Sequence, residues 1–137
     1  MSELAVATAI FLVTYAVILW FAGLTSAIVD NIPAEATLIP LTFAVARLLF
    51  PDIADLDAAA LAADLRVTPL WWSLALGACL GGNGSLVGAS ATVVAVGIAE
   101  RRGEPIGFWG FTRIGLPFAL VRLSVASLYV WLRYFAL

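Results

Sequence analysis

The chain has 137 residues, 64% of them hydrophobic and 12% charged, with a mean hydropathy of +1.07. Seven arginines and no lysine stand against nine acidic residues, for a formal charge of −2, and there is one cysteine and no histidine. A soluble domain carries about 45–50% apolar and about 25% charged residues, so this composition describes an integral membrane protein, expected from the segments below to be all-α, and excludes disorder, a coiled coil or a disulfide scaffold.

Residues 4–29 run without a charge. At about 20 residues per crossing this suffices for one span or for an interfacial piece plus a half-helix. Met1-Ser2-Glu3 carries no positive charge ahead of that run, so the start does not read as a cleaved signal. Asp30 and Asn31 interrupt the apolar run, and Pro33 suits the first turn of a second helix that Pro51 ends. Residues 4–50 therefore read as a helical hairpin with its tip near 26–33. Residues 51–68 are aqueous, with Asp52, Asp55, Asp57, Asp64 and Arg66, and their Ala-rich centre predicts a short surface helix over 57–65.

Residues 67–99 are again uncharged, too many for one straight span, and are divided by Gly77, Gly81, Gly82, Gly84 and Gly88. The spacing predicts a helix broken over 69–102, with an unwound polar loop at 81–90. Lipid does not tolerate such a loop, which must face protein or a watery cavity. Residues 103–113 form a second polar connection, and residues 114–137 a final transmembrane helix with Pro117 near its start. Trp71 and Trp72, Trp109, and the group Tyr129, Trp131 and Tyr134 mark expected membrane boundaries. Arg101, Arg102 and Arg113 surround the second connection, whereas the first is acidic. The arginine bias thus puts 103–113 in the cytoplasm and 51–68 outside, in a multi-pass protein of the plasma (inner) membrane.

Two stretches carry chemistry. Gly82, Asn83, Gly84, Ser85 and Ser90, with Thr92 just beyond, offer freed backbone groups and small polar side chains that can replace water around an ion. The same glycines also fit tight helix packing, since Gly77/Gly81 and Gly84/Gly88 keep GxxxG spacing. Ser26, Asp30 and Asn31 form the other stretch. They read either as a re-entrant tip with a carboxylate near the midplane or as an ordinary turn that caps the next helix. Glu35 lies one turn further on. Arg122 is an intramembrane charge, read as a structural partner for Asp30 or Glu35 in preference to a solute ligand. Cys79 reads as a small packing residue in preference to an arsenite ligand.

Taken in order, the tip S-x-I-V-D-N-x-P, the loop G-G-N-G-S-L-V-G-A-S-A and the following G-I-A-E-R-R-G resemble the ion transporter superfamily. The likeness is to its branch of arsenite permeases, sodium/proton antiporters and citrate-type permeases, over residues 26–40 and 71–113. The resemblance implies half of an inverted-repeat fold: a re-entrant hairpin, a broken helix and a terminal transmembrane helix, with tip and loop meeting at a midplane site. It maps the polar tip onto Ser26, Asp30 and Asn31 and the unwound loop onto Gly82, Asn83, Gly84, Ser85 and Ser90. Relatives commonly carry Asn where this chain has Thr92.

The implied activity is secondary transport by alternating access of arsenite, a carboxylate such as citrate, or sodium in exchange for protons. No covalent chemistry and no cofactor are implied beyond a coupling Na+ or H+, with Na+ placed near Asp30, Asn31 and Asn83. One repeat cannot build a two-sided site. The expected partners are therefore the missing first repeat or a second copy, a homodimer scaffold, the lipid bilayer and the small ion. No nucleic acid is expected, because the arginines form no clustered stripe. The other class of reading is a structural membrane subunit that uses the glycines only for helix packing. A membrane-embedded enzyme is disfavoured by the absence of His and the single Cys.

Overall fold

The computed structural model describes residues 3–136. Met1 and Ser2, on which the reading of the extreme N-terminus rests, lie outside the described residues. Six α-helices run in order: α1 (Glu3–Ser26), α2 (Asn31–Leu49), α3 (Ala58–Ala63), α4 (Thr68–Gly81), α5 (Ser90–Arg101) and α6 (Phe108–Trp131). Short 3-10 turns follow α2 and α4, at Pro51–Ile53 and Gly82–Gly84, and a π turn at Leu132–Ala136 extends α6. The described residues contain no strand.

α4 is the central element, packed chiefly on α1 and also on α6 and α2. The bundle has two apolar centres. Leu19 meets Leu123, Ala126 and Val130 between α1 and α6, while Ala22, Leu38 and Leu74 join α1, α2 and α4. A third cluster closes the end of the bundle. Tyr15, Ala46, Phe50 and Leu70 are covered there by Ile53, Leu61 and Val67 from the acidic connection. That connection is therefore a folded cap and not a loose surface segment. Asp57 starts α3 by accepting the Ala60 amide at 2.8 Å, and Leu61 of α3 is fully buried beneath it.

The ends of α2 follow from local chemistry. Asp30 is its N-cap, Pro33 sits in its first turn, and Pro51 follows the Phe50 cap. α1 and α2 have 24 and 19 residues, about 36 and 28 Å at 1.5 Å per residue. Each arm therefore has the reach of a full crossing.

The final helix corrects the sequence reading. It begins at Phe108 and not at Ile114, so Phe108 to Arg113 are helical and only the residues up to Gly107 connect α5 to α6. A charge such as Arg113 ends an apolar span without ending a helix. Pro117 consequently lies inside α6 and not near its start, and it leaves the Arg113 carbonyl without its intrahelical donor.

Candidate functional site at the helix break

α4 stops at Gly81 and α5 starts at Ser90, with one 3-10 turn and five non-helical residues between them. The tip between α1 and α2 lies directly on this break. Ser26, fully buried at the end of α1, donates its hydroxyl to the Ala78 carbonyl of α4 at 2.6 Å. Ser85, buried in the break, donates its own to the Ala27 carbonyl. The Ser26 bond joins the end of α1 to α4 just before the break, and the Ser85 bond joins the break itself to the tip. Both acceptors lie at helix ends, and the Ala78 carbonyl also accepts the Gly82 amide.

The glycines act by permitting close approach. No residue of the break has a positive φ, the only such glycine in the described residues being Gly103. A Cβ at Gly81 would strike the Gly23 backbone, and one at Gly77 the Leu19 carbonyl, so α1 and α4 touch backbone to backbone. In the loop, a Cβ on Gly82 would stand 2.7 Å from the Gly88 carbonyl, which folds the loop tightly on itself. The packing reading of Gly77/Gly81 therefore holds alongside the break.

Asn83 is half-buried. Its Nδ2 donates to the Cys79 and Leu80 carbonyls at 3.2 and 3.4 Å, which caps the end of α4 and leaves Oδ1 for a further donor or cation. Gly84 packs toward Ala27 and Ala119. The carbonyls of Asn83 and Gly84 rest against Gly115 of α6. Ser90 is exposed at the first turn of α5, and Thr92 is half-buried behind it. Ala89 offers no side-chain cap, so the first amides of α5 carry the positive end of that helix outward.

Asp30 is half-buried and accepts the Ile32 amide at 3.3 Å, so it caps α2 as the simple-turn reading expects. Asn31 is the half-buried first residue of α2. Glu35 is half-buried and lines a hollow between α2 and α4 with Phe43, Trp71 and Leu74. Among the described residues no group of three or more Cys, Asp or Glu side chains is placed to hold a metal ion.

Two expectations are corrected. Arg122 pairs with neither Asp30 nor Glu35. Its guanidinium lies over the Phe118 ring at 5.3 Å, and the ion pairs among the described residues all belong to Arg66. α6 turns that residue toward α4, while Asp30 and Glu35 belong to α2. Cys79 is exposed on α4 and not a packing residue of the interior.

Sequence reasoning missed Thr112. It lines a hollow of about 510 Å³ with Leu24, Ile28, Ser85, Val87 and Leu116, and its buried hydroxyl has no hydrogen-bond partner. Reading 103–113 as a cytoplasmic connection hid it, and no local signal marks it.

Comparison with known proteins gives this geometry a context. The chain is 47% identical over 112 residues to an uncharacterized transporter of Mycobacterium bovis, covering 82% of this chain and 23% of that protein. It is 42% identical over 123 residues to a 46 kDa membrane protein of Mycobacterium leprae, covering 90% of this chain and 26% of that protein. It is 40% identical over 113 residues to the human P protein, covering 82% of this chain and 12% of that protein. The chain thus spans about a quarter or less of the length of these relatives. No protein-family model matches it, and no solved structure does. Its homologues include named transporters, and two of its helical segments (α2 and Phe108–Phe135) are long and apolar enough to cross a membrane. It is a membrane protein whose relatives support transport as the general activity.

Proposed function

We propose that, as a homologue of transporters, this chain supplies the C-terminal repeat of a secondary active transporter. The transporter would move a small inorganic or carboxylate anion, or sodium in exchange for protons, by alternating access. The assignment to the arsenite permease, antiporter and citrate-type branch rests on the tip and loop motifs. The observation that carries the reading is the pair of buried hydroxyl bonds that clasp the hairpin tip to the helix break.

Depth supports it. From Thr68 to Gly81, α4 rises about 21 Å, and Gly115, against the loop carbonyls, lies about 10 Å along α6 from Phe108. These lengths together approach a hydrocarbon core of about 30 Å, which supports reading the break and tip as lying inside the bilayer and the hairpin as re-entrant. Irregular backbone is stable there only beside protein or a watery cavity.

In this reading Asp30 is the titratable or cation-coordinating carboxylate, and Asn83 Oδ1 with the loop carbonyls receives a cation. The first turn of α5, at Ser90 and Thr92, receives negative charge. The chain crosses the inner membrane several times, with residues 51–68 outside. Isotope uptake into liposomes containing the full-length gene product, with arsenite, sodium and dicarboxylates, tests this. Asp30→Asn should reduce uptake of the transported ion about tenfold or more while leaving the protein folded. Unchanged uptake by that variant would refute the assigned role.

The backbone contact at Gly77 and Gly81 favours one second reading, a structural subunit built on close helix packing. In that case Asn83→Ala and Asp30→Asn would alter assembly and leave ion binding untouched.

A further inference from the structure

Arg122 carries a charge that no described residue answers. From Phe108 it lies about 21 Å along α6, and from Trp131 about 14 Å. It is therefore inside a span of about 30 Å, where a charged side chain is costly unless paired. A side chain can snorkel toward the head groups, and a lipid phosphate is the alternative partner that the cross-linking below separates. Its cation–π contact with Phe118 brings no negative charge.

The surroundings show what shape the partner has. Arg122 lines a hollow of about 370 Å³ between α4 and α6, with Leu76 and Leu80 on one wall and Val121, Val125 and Tyr129 on the other. Leu76 and Leu80 stand four residues apart, as do Val121, Val125 and Tyr129, so the walls are parallel helical ridges with a groove between them. An apolar groove with one central cation does not suit a hydrated anion. It suits a helix with an apolar face and one acid.

We infer that the α4–α6 groove is the docking site of a transmembrane helix from outside these 137 residues, whose Asp or Glu pairs with Arg122 inside the membrane. The length of the relatives supplies the source, because about three quarters of the Mycobacterium bovis protein lies beyond the matched segment. This inference does not depend on which ion is transported, and its test reads contact and not transport.

The experiment places a benzophenone amino acid at Val125, which is 62% exposed, in the full-length gene product in native membranes. Illumination should cross-link Val125 to a transmembrane segment that carries an Asp or Glu within one helical turn of the adduct. Arg122→Met should lower the yield about tenfold or more, and Arg122→Lys should retain most of it. Adducts with lipid alone, with a second copy of this chain or with an acid-free segment would each overturn the inference. So would a yield indifferent to Arg122→Met.

Discussion

At the residue scale, the contact between α1 and α4 depends on the absence of side chains. Gly81 lies so close to the Gly23 backbone that an added methyl has no room, whereas Gly97 in α5 faces open space. The same substitution should therefore have opposite consequences. Gly81→Ala should destabilise the protein by about 1–3 kcal/mol through forced backbone displacement. Gly97→Ala should stabilise α5 by up to about 1 kcal/mol through helix propensity. Thermal unfolding in detergent checks both, and equal shifts would contradict the close approach. Ser26 shows the complementary case. The Ala78 carbonyl already accepts the Gly82 amide, and the Ser26 hydroxyl supplies its second donor. A small residue with one proton to give fits there, where a larger one would part the helices.

At the element scale, Arg66 clamps the two ends of the acidic connection, while Arg47 donates to the Leu56 carbonyl at 3.1 Å. Arg66 donates to Asp52 at 2.7 Å and to Asp64 at 3.0 and 3.1 Å, and its guanidinium lies over Phe50. The hydrogen bond from Arg66 is the main cause that holds each carboxyl below the usual range, and the same bonds raise Arg66. A carboxyl whose folded pKa lies below its unfolded value of about 3.9 contributes stability that is complete above that value. The contribution is lost as pH falls through the folded value. Hydrogen-exchange protection of residues 52–56, corrected for intrinsic rates, should thus be constant near neutrality and decline below about pH 4. Arg66→Met should show the weakened protection already at pH 7, with the acid step gone. A step that survives in that variant would contradict the clamp.

This scale also shows where local sequence suffices. Asp30, Pro33 and Pro51 announce α2, and Asp57 announces α3, because caps and prolines act on their own neighbours. The start of α6 is not announced, since Arg113 and Trp109 mark a membrane boundary and not the end of hydrogen bonding. The burial of Leu61 and Val67 was equally hidden, as it depends on how the connection folds back over Tyr15 and Phe50.

At the scale of the molecule, one helix stands outside the packed core. α5 has no buried residue, and Val93, Val94 and Ile98 are exposed along it. Together with Arg122 in its groove, these surfaces suit a larger membrane assembly. The polar residues of the candidate site were visible as types in the sequence. Their pairing was not, because Ser26 meets Ala78 across 52 residues and Ser85 meets Ala27 across 58. Spacing alone carries no information about which carbonyl a distant hydroxyl reaches.

The central claim is that the hairpin tip rests on the helix break, and a disulfide tests it most directly. A Cβ built on Gly84 lies 3.1 Å from the Ala27 Cβ. That is a few tenths of an ångström inside the usual disulfide spacing of about 3.5–4.5 Å. With Cys79→Ser removing the native thiol, the double variant Ala27→Cys/Gly84→Cys should oxidise almost completely in membranes. After proteolysis in the 51–68 connection, the two halves should then stay joined until reduced. Halves that separate without reductant would show that tip and break do not meet.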